Sequence, residues 1–181
     1  MRTMNEDHHL IKGCLANDRR SQRKLYDKYS SKMLGICMRY ANKIEDAEDM
    51  MIEGFMKIFT GLNEFRNESS LVTWMHRIMI NNAINYFQKN CKHYHTESIS
   101  DESFLDDIYD TSYDIPEKIT QKMFLDIMQK MPEKYRIVLN LIALDGYSYE
   151  TVSKQLAIPE ATVRSRLSKA KQFLHKHFYQ Q

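Results

Sequence analysis

With 181 residues the chain has room for one domain of ordinary size or two small ones. Charged residues make up 28% and apolar residues 43%, a globular balance, and no apolar run nears the roughly 18 residues of a membrane helix. The net charge of +2 hides an asymmetry: His93 to Glu117 holds eight acidic residues and no Lys or Arg, which leaves +10 on the rest.

The first residues contain no signal-peptide core, so a cytoplasmic protein without membrane insertion is expected. Cys14, Cys37 and Cys91 are odd in number and far apart. They match neither a CxxC zinc spacing nor a disulfide framework, and reduced thiols are the expectation. No cofactor and no metal are expected.

Only five Gly and three Pro are present, and helical periodicity runs through long segments. From Leu10 to Tyr40, apolar residues including Cys14, Leu25, Tyr29, Met33 and Cys37 suggest two helices broken near Asn17 and Asp18. A third helix is expected from about Glu45 to Thr60, closed by Gly61. The segment "DAEDMMIEGFMKIF" puts Ala47, Met50, Met51, Gly54, Phe55, Ile58 and Phe59 on one broad face, the core face. Asp49 and Glu53 point the other way together with Ile52 and Met56. Two outward apolar side chains ringed by carboxylates have the composition of a docking surface for a basic partner protein. A plain solvated face is the alternative. A metal site on these carboxylates has no His at ligand spacing to complete it.

A fourth helix is expected from about Ser70 to Lys89 in "FRNESSLVTWMHRIMINNAINYFQKN". Its wheel buries Trp74, Ile78, Ala83, Tyr86 and Phe87, and exposes His76, Arg77, Asn81, Asn85 and Lys89. Asn is a poor helix former, so Asn on an exposed helix face invites a binding role. Asn pairs with adenine, and the polar loop before the helix offers a pocket for an unstacked base.

The acidic stretch "HTESISDESFLDDIYDTSYDIPE" reads as a linker, either a solubilising tether or a mimic of a phosphate backbone. Helical periodicity resumes over Glu117–Lys130, Pro132–Leu144, Ser148–Leu156 and Glu160–Phe178. The last two form a helix-turn-helix, with Ser148 as N-cap and "LAIPE" as the turn. On the final helix Val163, Leu167, Ala170 and Leu174 make one narrow apolar stripe. Ala161, Ser165, Ser168 and Gln172 lie opposite, flanked by Arg164 and Lys169. This small, polar, basic face suits the major groove, while Arg166 lies nearer the apolar stripe.

The chain is therefore expected to be all-α, with two small helical domains, residues 1–92 and 116–181, joined by a linker over residues 93–115. Three segments in order, "DAEDMMIEGFMKIF", "FRNESSLVTWMHRIMINNAINYF" and "YSYETVSKQLAIPEATVRSRLSKAKQFL", resemble a bacterial RNA polymerase sigma factor of the extracytoplasmic-function group. The resemblance covers about residues 6 to 178. It implies a promoter-specificity subunit with no catalytic residues, whose partners are core RNA polymerase (clamp and flap), promoter DNA and an anti-sigma factor. It implies clamp contact through Asp49, Ile52, Glu53 and Met56. Around the −10 element it implies Asn67, Glu68, Ser69, Ser70, His76, Asn81 and Asn85, and −35 reading by Arg164, Ser165, Ser168 and Lys169. Leu71 stands where the family usually carries Phe, and Gly54 is unusual in the clamp-contacting helix. The competing readings are a helix-turn-helix regulator that never docks on polymerase and, more remotely, a nuclease built on Asp46, Asp49 and Glu53.

Overall fold

The computed structural model describes residues 2–90 and 120–179. Cys91 and the acidic linker lie outside the described residues. The chain divides into two compact units, Met1–Ala83 and Ile84–Gln181, and each is taken by itself. Every regular element among the described residues is helical.

The first unit contains α1 (Arg2–Leu15), α2 (Arg19–Tyr40), α3 (Ile44–Gly61), a 3-10 turn (Leu62–Glu64) and the greater part of α4 (Leu71–Asn90). The break expected near Asn17 and Asp18 is a capped corner. Asn17 takes a left-handed φ of 55°, and Asp18 accepts the Arg20 and Ser21 amides at 3.2 and 3.1 Å and the Ser21 hydroxyl at 2.7 Å. These bonds, the Ser21 hydroxyl foremost, hold the Asp18 carboxyl below its ordinary pKa. A Cβ on Gly13 would overlap the Ser21 side chain, so glycine lets α1 approach α2 closely. Further along, Asp7 accepts both the Tyr29 hydroxyl and the Lys28 ammonium at 2.7 Å.

Residues 41–43 join α2 to α3, a link short enough to make the two helices antiparallel neighbours. The Tyr26 and Phe55 rings meet at 4.7 Å between them. Leu25, Met33, Cys37, Ala47, Met50, Phe55, Ile58, Leu62, Met75 and Met79 form the core, in which flexible methionines fill irregular gaps. Cys14 and Cys37 are buried free thiols; burial raises both pKa values, that of Cys37 to about 12.

The expected core face of α4 needs correction. Leu71, Met75, Met79, Asn82 and Ala83 are buried, whereas Trp74, Ile78, Tyr86 and Phe87 are only half-buried. Trp74 lies at the margin because its ring packs against Phe65, 5.3 Å away. Asn82 is buried because both ends of its amide have partners. It donates to the Met50 carbonyl at 2.8 Å and accepts from the Lys57 ammonium.

The second unit holds α5 (Gln121–Lys130), α6 (Glu133–Leu139), α7 (Tyr149–Leu156) and α8 (Glu160–Tyr179). α5 begins at Gln121, where Thr120 is extended and its hydroxyl accepts the Met123 amide at 3.2 Å; the expected helix start at Glu117 lies outside the described residues. α6 ends at Leu139 and widens into a π-turn over Asn140–Leu144, closed by the Asp145 amide on the Asn140 carbonyl at 2.9 Å. Arg136, fully buried, donates to the Met128 carbonyl at 3.3 Å near the C-terminal end of α5. Desolvation lowers its pKa. Val138, Leu141, Val152, Leu156, Val163, Leu167 and Ala170 complete this core.

Candidate functional site

On α3 the outward face is as the periodicity predicts. Ile52 and Met56 are 54% and 62% exposed, and Asp49 is exposed beside them. Standing at i and i+4, the two open apolar side chains are neighbours on one helix face and form a patch, which a single exposed residue would not. Glu53 is half-buried and pairs with Lys57 at 2.9 Å, so one of the two carboxylates is partly neutralised within its own helix.

The loop between the 3-10 turn and α4 borders an open cleft of about 900 Å³, lined by Asn63, Glu64, Phe65, Arg66, Glu68, Ser69, Trp74 and Arg77. Glu68 and Ser69 are on its wall. Asn67 is not, and instead supplies the left-handed φ of 57° that turns the loop. Ser70 is the N-cap of α4: its Oγ accepts the Thr73 amide at 3.1 Å and lies 2.7 Å from the Thr73 hydroxyl. The cleft also contains two aromatic faces and two guanidiniums that the sequence reading left out of the site.

Asn81 and Asn85 are exposed on α4. Trp74, Arg77, Asn81 and Asn85 fall at i, i+3, i+7 and i+11, so they form one ridge leading away from the cleft. His76 does not join it. At 100° per residue it sits about 140° from Asn81 and about 180° from Asn85, half-buried on the opposite flank. The i, i+3, i+7 spacing from Trp74 was the signal that would have separated these residues.

In the second unit, Ser148 caps α7 by accepting the Thr151 amide at 3.2 Å. Ala157 ends α7 with a left-handed φ of 53°. The Ser153 hydroxyl bonds the Ile158 carbonyl at 2.6 Å and ties the turn down before Pro159. Glu150 and Lys154 pair at 2.6 Å, which lowers the carboxyl pKa and raises that of the ammonium. On α8, Val163 and Ala170 are fully buried and Leu167 nearly so, while Arg164 and Ser165 are exposed and Ser168 and Lys169 half-buried. The Arg164 guanidinium lies 4.4 Å from the centre of the Tyr149 ring and 3.7 Å from Glu160. Lys169 leans over the Tyr135 ring at 5.9 Å. Neither aromatic partner was evident from the wheel, because Tyr149 and Tyr135 belong to other helices.

The sequence matches two family models in order. "Sigma-70 region 2" covers residues 25–92 and "Sigma-70, region 4" covers residues 121–174, together about two thirds of the chain. The chain belongs to the extracytoplasmic-function group of sigma factors. It is 29% identical over 184 residues to the RNA polymerase sigma-H factor of Pseudomonas aeruginosa, covering 97% of this chain and 95% of that one. It is 27% identical to the ECF RNA polymerase sigma-E factor of Haemophilus influenzae over 93% of each chain. The structure of the sigma factor RpoE with the anti-sigma factor NepR from Bartonella quintana aligns with 86% of this chain and 94% of that chain, at a TM-score of 0.48 and 21% identity. In the family frame, α2 to α4 are region 2 of this sigma factor and α5 to α8 are region 4. Among the described residues no helix is long and apolar enough to cross a membrane, and no three His, Cys, Asp or Glu gather as a metal site.

Proposed function

We propose that this sigma factor binds core RNA polymerase in the cytoplasm and directs initiation at one class of promoter. Region 4 reads the −35 element, and region 2 captures the opened −10 element. The observation that carries the reading is the presence of both sigma-70 regions, in order, on one chain. It disfavours a helix-turn-helix regulator that works without polymerase, which would have no use for region 2. Bond-making belongs to the polymerase; this chain contributes position and selectivity.

The functional boundaries we assign are residues 1–92 for region 2 with its N-terminal helix, 93–115 for the linker and 116–181 for region 4. Asp49, Ile52, Glu53 and Met56 dock on the clamp, the apolar pair providing burial and the carboxylates the charge match. An unstacked −10 base enters the cleft and stacks on Phe65 or Trp74, a contact worth about 1–3 kcal/mol. Glu68 and Ser69 read its edge, Asn67 and Ser70 shape the loop, and Asn81 and Asn85 contact the strand beyond. His76 takes no direct part, being on the other flank of α4. Arg164 and Ser165 face the bases of the −35 element, with Ser168 and Lys169 closer to its phosphates. An anti-sigma factor is the expected antagonist, covering the same polymerase-docking face. The test is run-off transcription with core polymerase across a genomic promoter library: a discrete set of start sites supports the assignment, and no gain over core alone overturns it.

A further inference from the structure

The cleft in region 2 is charge-balanced, with Arg66 and Arg77 set against Glu64 and Glu68. Such a site can select a base, but it has no surplus cation for the phosphates on either side of that base. A surplus lies on α2 of the same unit. Arg19, Arg20, Arg23 and Lys24 place four cations in the first six residues of α2, all exposed. Arg20, Arg23 and Lys24 fall on one stripe, at i, i+3 and i+4. The positive end of a helix dipole disfavours cations there, and among the described residues the Asp18 cap and an Arg23–Asp27 pair at 3.0 Å offset part of this charge.

The register of the helices puts the first turns of α2 at the level of the cleft end of the unit. Tyr26 meets Phe55 across the antiparallel α2–α3 pair. Seven residues back along α2, Arg19 is therefore level with about residue 62, where the 3-10 turn begins. That turn carries Asn63 and Glu64 of the cleft wall, and α1 packs against it. Three of the four cations are Arg, whose planar fork matches phosphate oxygens.

We propose that the Arg19–Lys24 face of α2 is a sequence-independent phosphate-binding surface that holds the backbone of the promoter strand whose base occupies the cleft. This inference rests on the reading of the cleft as the −10 site. It divides the work of region 2: the cleft selects, and the α2 face supplies salt-sensitive affinity.

The test uses the full chain assembled with core polymerase and the non-template single strand of a promoter mapped by run-off. Affinity is measured against salt concentration for wild type and for the double variant Arg20→Gln with Lys24→Gln. Each lost phosphate contact on a single strand reduces the log–log slope by about 0.7, so the double variant should be shallower by about 1.4. The loss should be equal on matched and scrambled −10 sequences, with core affinity unchanged and the melting temperature no lower than that of wild type. An unchanged slope overturns the proposal while leaving the sigma assignment standing. A loss confined to core binding also overturns it, by making the face a protein contact. A wild-type complex that initiates nowhere overturns both.

Discussion

The Asn82 side chain donates its amide to the Met50 carbonyl at 2.8 Å, joining α4 to α3 inside the region 2 core. The same amide's oxygen takes a bond from Lys57, which in turn pairs with Glu53 at 2.9 Å. One buried residue thus links the helix proposed to touch DNA with the helix proposed to touch polymerase. Asn82→Ala leaves the Met50 carbonyl without this partner, at an expected cost of about 1–3 kcal/mol. Urea denaturation of the variant checks it, and a loss below about 0.5 kcal/mol would show that water replaces these bonds freely.

Gly54 sets how closely the same two helices approach. A Cβ there would overlap the Met79 sulfur and come within 2.9 Å of its methyl carbon, and Met79 is fully buried. Helix propensity alone makes Gly54→Ala stabilising by about 1 kcal/mol. Overpacking a filled core costs about 1–3 kcal/mol and should win. In a Met79→Ala background the clash disappears, so Gly54→Ala should become neutral or stabilising. A double-mutant cycle without coupling would refute the contact.

Much of this arrangement was legible before any coordinates. The α3 faces, the Ser148 cap and the apolar stripe of α8 follow from periodicity and cap chemistry, which are local properties. The core face of α4 differs from its wheel, which counts Trp74 as core and leaves Asn82 out. Both are settled by other segments: Phe65 draws Trp74 to the margin, and Met50 with Lys57 satisfies Asn82. The cleft was half-visible for the same reason. Its loop residues are contiguous in sequence, while Trp74 and Arg77 reach it only through the fold. The π-turn after Leu139 has no periodic signature at all.

Alkali should loosen the α1–α2 contact. Burial, followed by the bond to Asp7, pushes the Tyr29 pKa up to about 12, above the roughly 10 of an unfolded tyrosine. A folded value raised in this way favours the neutral phenol. Its stabilisation is complete below about pH 10 and is lost as pH rises toward 12. The Lys28 pKa is raised too, chiefly by its bond to Asp7, so its contribution also fades on the alkaline side. Tyr29→Phe should lower stability at pH 8 and flatten its decline above pH 10. Identical pH profiles for variant and wild type would contradict this linkage.

Reversing the carboxylates of the proposed docking face should separate polymerase binding from folding. Asp49→Lys with Glu53→Lys leaves three lysines at i, i+4 and i+8, counting Lys57. Like-charge pairs at this spacing cost only about 0.2–0.5 kcal/mol each, too little to unfold the unit. The helical circular dichroism should therefore be unchanged, while co-elution with core polymerase is lost. Retained co-elution would move the docking surface elsewhere.

Arg164 is held before DNA arrives, by the Tyr149 ring at 4.4 Å and Glu160 at 3.7 Å. A free arginine side chain gives up rotamer freedom when it reads a base, and a stacked one has already lost part of it. If Arg164 forks onto a guanine, Arg164→Ala should weaken the cognate −35 element by about 1–3 kcal/mol and leave a sequence with that base changed nearly untouched. Tyr149→Leu should lose a smaller share, about 0.5–1 kcal/mol for an exposed cation–π contact, and Tyr149→Phe should restore it. Fluorescence anisotropy on matched and singly changed −35 duplexes separates the possibilities. Equal losses on every duplex would make Arg164 a phosphate contact and reduce Tyr149 to a support for the helix-turn-helix. A loss that tracks one base pair and returns with Phe fixes the stacked arginine as the element that reads it.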